Sequence, residues 1–315
     1  MDEKKEKKII EKVLLASVNE YKRARRWRIF FTLLFFAYVV FITVSIKIPG
    51  AGPSLQSKST SPHIAVIDIQ TALMSSSTTQ AILAELKNAC ENDKAKVVML
   101  RINSPGGTTF QSRVIYKDIL YWRNELAGKK KIYAVIEDLG ASGAYLVSSA
   151  TDKIYAGETS LIGSIGTAFS TFGAVDLIHK VGVERRLITS GRLKAMYDPF
   201  EPVQAEAKEI LESMAEQAHQ IFIDDVINGR KDKLKDPHNP ELYTGRVWTG
   251  RNAKALGLID DFGYIDSIAR SEFDNMPVVV YKKKTSFIDE IKGMNIKLAN
   301  LWNNLSNSMN LLSTI

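Results

Sequence analysis

Apolar positions fall into three short uninterrupted runs, Ile64 to Ile69, Val97 to Ile102 and Ile132 to Ile136, each of strand length. Amphipathic helical patterns separate them, among them Ala81 to Asn92. A strand that is apolar on every position has both faces covered, so this spacing predicts an α/β domain with mostly parallel pairing. Further along, helical patterns cover Val175 to Val181 and, after Pro202, a long stretch to about Asn228. Val183 to Thr189 reads as a strand between them. A short helix near Arg251 to Leu256 and more α/β elements then lead to Tyr281, and Ser286 to Ile315 is weakly amphipathic helix. No tandem repeat is evident.

Ahead of the domain the pattern changes. Ile29 to Ile46 carries no charge and is rich in Phe, Leu and Val, against about 20 residues needed to cross a bilayer as a helix. Lys22, Arg23, Arg25, Arg26 and Arg28 crowd against its start, which predicts a cytoplasmic N-terminus and everything after Lys47 on the far side. A cleaved signal peptide would have a shorter basic region, so an anchor is the preferred reading. The expected layout is 1–28 cytoplasmic and amphipathic, 29–46 transmembrane, 47–62 a Pro, Gly and Ser-rich stalk, 63–283 the globular domain and 284–315 a C-terminal helical segment.

Composition changes this picture little. The net charge of +7 suggests nucleic acid until much of the excess is located at the N-terminus, so no nucleic-acid partner is expected. A single cysteine, Cys90, excludes an internal disulfide framework and reads as a small buried residue. No His/Cys cluster has metal-ligand spacing and no Walker-type loop is present, so neither metal nor cofactor is expected.

Candidate chemistry lies at the strand ends. Asn103-Ser104-Pro105-Gly106-Gly107 is a turn whose N–H groups no side chain obstructs, although Pro-Gly turns are common. Gly140-Ala141-Ser142-Gly143-Ala144-Tyr145 opens a helix after the third strand. Ser142 there is either a nucleophile at a strand-to-helix turn or an ordinary N-cap. Lys194, after Ser190-Gly191-Arg192-Leu193, is a candidate base if its amine is desolvated, and otherwise a solvated lysine. His63, His179, His219 and His238 are poorer candidates that the sequence leaves open. Leu161-Ile162-Gly163-Ser164-Ile165-Gly166 is a small-residue segment in which Ser164 could hold the lysine, or simply a loop.

Together these segments resemble the signal peptide peptidase A family of serine proteases, in order and in spacing, over about residues 64 to 275. Gly245-Arg246-Val247-Trp248-Thr249-Gly250 and Ala255 to Asp260 complete the resemblance. It implies a ClpP/crotonase-like fold of repeated β-β-α units after one transmembrane helix. It implies Ser142 as nucleophile, Lys194 as general base, Ser164 orienting the lysine, and an oxyanion hole from Gly107 and Gly143 with Gly106 as a third candidate. Remnant signal peptides are the implied substrates, a ring-shaped homo-oligomer the implied assembly, and a bacterial cytoplasmic membrane the implied location. Ala144, where many members have a second glycine, is expected to narrow the cleft. The alternatives are a protease acting on membrane proteins with a partner, a crotonase-type CoA enzyme, and a catalytically silent binding module.

Overall fold

The computed structural model describes residues 22–23, 25–38 and 61–282. The chain divides into two units at Ser57/Lys58. In the first, residues 25–38 form helix α1. Among the described residues no helix is long and apolar enough to cross a membrane. The expected span runs on past Tyr38 to Ile46, outside the described residues, as do most of the stalk and the segment 284–315.

The second unit runs β1 (His63–Ile69), α2 (Ser76–Glu91), β2 (Ala95–Ser104), α3 (Thr109–Leu126), β3 (Lys131–Ala141), α4 (Gly143–Ser149), β4 (Lys153–Ala156), β5 (Leu161–Gly163), α5 (Val175–Lys180) and α6 (Ala205–Arg230). It then continues β6 (Val247–Thr249), α7 (Gly250–Leu256), β7 (Asp261–Phe262), α8 (Ile265–Glu272) and β8 (Val278–Tyr281). The sheet order is β6-β5-β3-β2-β1-β8, with β4 beside β3 and β7 beside β4. Every pairing is parallel except β5 with β6.

Period-2 alternation sends the three apolar runs to both faces of the sheet. Ala65, Ile67, Val98, Leu100, Ile132 and Ala134 join the core shared with α2, α3, α4 and α6. Ile64, Val66, Val97, Met99, Tyr133 and Val135 face Ile265, Ile268 and Ala269 of α8. Each fully buried aliphatic side chain contributes roughly 1.5–3 kcal/mol, so this two-sided burial is what fixes the strands. Cys90 is buried on α2, and burial pushes its thiol up to about 12.

Arg230, 1% exposed at the end of α6, ties the helical layer to the sheet. Its guanidinium donates to the Gly257 carbonyl (2.8 Å from Nη2) and to Asp260 (2.8 Å from Nη1). The Asp260 carboxylate also accepts the Ile154 N–H of β4 at 2.7 Å.

Two expectations are corrected. Strand and helix alternate one for one from β1 to β4, and only β4 and β5 stand consecutively before a helix, so a repeating β-β-α unit is not the described order. The reason is that α2 and α3 are long single crossovers, of 16 and 18 residues, between parallel neighbours. Val183 to Thr189 is not a strand: it is irregular and exposed, with Ile188 98% accessible. Its apolar residues have no neighbouring strand to complete a ladder.

Strand β3 is long enough to serve two partners on one side. Tyr133 to Ile136 pair with β4, and Leu139 to Ala141 pair with β5. Its carboxyl end, held between β2 and β5, carries the turn to α4.

Candidate active site

Ser142 is the single residue between β3 and α4, at φ 53° and ψ −125°. A non-glycine residue at this positive φ is strained by about 1–3 kcal/mol and persists only where its surroundings enforce it. Here the Ser142 N–H donates to the Gly163 carbonyl at 2.7 Å, continuing the β3–β5 ladder, and its own carbonyl accepts the Leu146 N–H at 3.0 Å. The side chain makes no capping hydrogen bond. The N-cap reading is thereby set aside, because the half-buried hydroxyl is left available.

The Gly-Gly turn after β2 lies against it. Ser104, fully buried, donates through Oγ to the Thr71 carbonyl (2.7 Å) and accepts the Gly106 N–H (3.2 Å). Leu73 then bridges the turn, its N–H bonding to the Gly106 carbonyl at 2.7 Å and its carbonyl accepting the Thr108 N–H at 3.0 Å. These bonds leave the Gly107 N–H without an acceptor among the described residues, and the Gly143 N–H is equally free.

Contact here is so close that only hydrogen fits. A Cβ on Gly106, which has φ 96°, would lie 2.6 Å from the Gly143 nitrogen and 2.9 Å from Ser142 Cβ. One on Gly143 would lie 3.3 Å from the Gly107 nitrogen. The structure thus brings Ser142, Gly107 and Gly143 together as expected. Gly106 is corrected: its N–H is already held by Ser104, and its role is to let the two turns meet. Ala144 is corrected too, being fully buried in the core where its methyl cannot narrow a cleft.

Ser164 follows Gly163 as Ser142 follows Ala141, and Ala141 and Gly163 are register partners, so the two serines leave neighbouring strand ends together. Ser164 also has positive φ, 52°, and donates its N–H to the Arg246 carbonyl at 2.8 Å. Beside it, Trp248 of β6 presses on Gly163, where an added Cβ would meet the indole at 3.0 Å. The Arg246 guanidinium lies 4.2 Å from the Trp248 ring centroid. His219 of α6 reaches the same segment, Nε2 lying 3.2 Å from the Ile165 carbonyl.

Lys194 makes no hydrogen bond to Ser142. It sits exposed on a turn, its N–H bonded to the Gly191 carbonyl at 3.1 Å, and its amine has no hydrogen bond or ion pair among the described residues. The surrounding loop has anchors of its own: Arg185 pairs with Asp198 at 2.5 Å and Arg192 with Glu206. The Phe200 N–H and Arg185 hold the Asp198 carboxyl below the usual carboxylate range. The loop borders a partly open cleft of about 340 Å³ lined by Leu187, Arg192, Leu193, Met196, Asp198 and Glu201 among others. None of the four histidines bonds to Ser142. His63, at the opposite end of its strand, is engaged by Tyr281 Oη and the Ser61 carbonyl.

Sequence reasoning missed Ser104, Leu73, Ser112 and the packing role of Trp248. Ser112 had a visible signal, as a polar residue in the buried stripe Ser112, Ile115, Tyr116 and Ile119 of α3.

A serine strained at a strand–turn–helix junction of a parallel-rich sheet, facing free main-chain N–H groups, defines a serine hydrolase arrangement. The sequence model of peptidase family S49 matches residues 124–281, and the chain belongs to that family. Similar proteins include the putative signal peptide peptidase SppA of Enterococcus faecium, 32% identical over 216 residues, covering 66% of this chain and 60% of that protein. The chloroplastic serine protease SPPA of Arabidopsis thaliana is 32% identical over 188 residues, 58% of this chain and 26% of that protein. A Brucella abortus protein named Na(+)/H(+) antiporter NhaA is 39% identical over 213 residues, 67% of this chain. The chain spans 28% of the length of that Brucella protein.

Proposed function

We propose that the chain is a membrane-anchored serine endopeptidase that degrades cleaved signal peptides and similar short apolar peptides outside the cytoplasm. The observation that carries the reading is the Ser142 turn: positive φ, no capping bond, and the free N–H groups of Gly107 and Gly143 beside it. Ser142 Oγ attacks the scissile carbonyl, and the two N–H groups receive the oxyanion. The general base is Lys194, which takes the Ser142 proton and returns it to the leaving amine. Ser164, at the adjacent strand end, orients the lysine.

Lys194 is exposed and makes no hydrogen bond to Ser142 in the single chain, so closure of its loop or a boundary between protomers of a ring is the route by which its amine engages the nucleophile. Exposed Phe169, Phe172, Leu177 and Ile188 around that loop give such a contact an apolar surface. The protease-named relatives favour a peptide substrate, and the run Ile29 to Ile46 after a basic cluster favours a single-pass anchor with the catalytic domain outside.

The test is covalent labelling by a fluorophosphonate probe across pH 6 to 10, comparing wild type with Ser142→Ala and Lys194→Ala. Labelling that disappears in both variants is expected, because the nucleophile and its base act as a unit. Labelling that survives Lys194→Ala would move the base elsewhere, with His219 the first to examine. Labelling that survives Ser142→Ala would overturn the nucleophile.

A further inference from the structure

Two buried side-chain polar atoms have no hydrogen-bond partner among the described residues, Ser112 Oγ and Trp248 Nε1. They bracket one turn. Trp248 lies against Gly163, whose carbonyl holds the Ser142 N–H, and Ser112 lies against Gly143 on the other side. A Cβ on Gly143 would stand 2.0 Å from Ser112 Oγ, so the hydroxyl presses directly on the Gly143 backbone.

A serine inside a helix ordinarily returns its hydroxyl to the carbonyl four residues earlier. Ser112 does not: the Thr108 carbonyl takes only its backbone N–H, at 3.1 Å. Thr108 directly follows Gly107 and caps α3, so the helix that starts at one free N–H places Ser112, one turn later, beneath the other. A fully buried hydroxyl without a partner opposes folding, and alanine would fill the site without that penalty.

We propose that Ser112 is a positioning residue of the oxyanion hole. Its Oγ wedges beneath Gly143 and fixes the peptide plane between Ser142 and Gly143, and with it the direction of the Gly143 N–H. The plane needs such a support because Ser142, at φ 53°, is strained and relaxes wherever space is opened beside it. This inference rests on Ser142 being the nucleophile.

The experiment compares wild type, Ser112→Ala and Ser112→Cys in the full chain, reading the rate of fluorophosphonate labelling, kcat and KM on a peptide substrate, and melting temperature. Intact-protein and peptide mass spectrometry assign the labelled residue. Ser112→Ala is expected to lower kcat and labelling rate by about tenfold, less than outright loss of an oxyanion donor, with KM unchanged and melting temperature equal or higher. Ser112→Cys, which restores an atom at the γ position, recovers part of the rate. Wild-type rates in Ser112→Ala would overturn the proposal, as would a loss of rate that follows a lowered melting temperature. A wild type that takes no label at Ser142 would overturn the nucleophile assignment itself, and this inference with it.

Discussion

At the scale of single residues, the site is governed by positions where a Cβ is either forbidden or forced. Ser142 has its Cβ at a φ of 53°, which glycine adopts without strain. Both Ser142→Ala and Ser142→Gly should abolish labelling, but urea unfolding should find the glycine variant more stable than the alanine variant by about 1–2 kcal/mol. Equal stabilities would mean the turn is not strained. Gly143→Ala meets Ser112 Oγ head on, so its labelling rate should fall by about 10² or more while its melting temperature also drops. The turn segments mark Ser142 and the Pro-Gly-Gly turn as places of close backbone approach, while the choice of Gly107 and Gly143 comes from the family resemblance. The exclusion of Gly106 was not legible, since it depends on Ser104 Oγ, whose partners at Thr71 and Gly106 are set by the meeting of separate segments.

At the scale of elements, β1, β2 and β3 could be read from the sequence because burial on both faces makes a strand apolar at every position. The same rule misled at Val183 to Thr189, where apolar and β-branched residues are exposed on a loop without a pairing neighbour. Helix α6 was legible from periodicity, but its hold on the sheet through Arg230 was not. Replacing Arg230 by Met leaves Asp260 and the Gly257 carbonyl without their guanidinium, and should cost about 3–5 kcal/mol in urea unfolding. Burial alone would raise the Asp260 carboxyl, yet the Arg230 hydrogen bond and charge, the Ile154 N–H and Lys233 together hold it below the usual range. A carboxyl lowered in the folded state stabilises fully above its unfolded value of about 3.9, and that contribution is lost as pH falls through the folded value. Asp260→Asn should therefore flatten the acid limb of the stability curve below about pH 4, measured by urea midpoints. An unchanged acid limb would assign acid sensitivity to other carboxylates.

At the scale of the molecule, the Ser142 turn, the Gly-Gly turn and Ser164 lie at the carboxyl ends of β3, β2 and β5, where parallel α/β sheets characteristically expose their ligand-binding loops. Membership of family S49 was legible because several motifs recur in one order, whereas the exposure of Lys194 on its turn was not, as spacing along a chain carries no burial. The unit from Lys58 onward owns both faces of its core. A fragment of residues 58–282 should therefore unfold in one cooperative calorimetric transition, and a broad non-cooperative melt would show that it needs the preceding segment. The lone thiol has a practical corollary. Because Cys90 is buried and its thiol raised to about 12, the native protein behaves towards alkylating reagents as though it contained no cysteine. Arg192→Cys, on the loop beside Lys194, would then be the sole reactive handle, and a spin label there would report whether copies of the chain associate at all, by the presence or absence of a distance between labels.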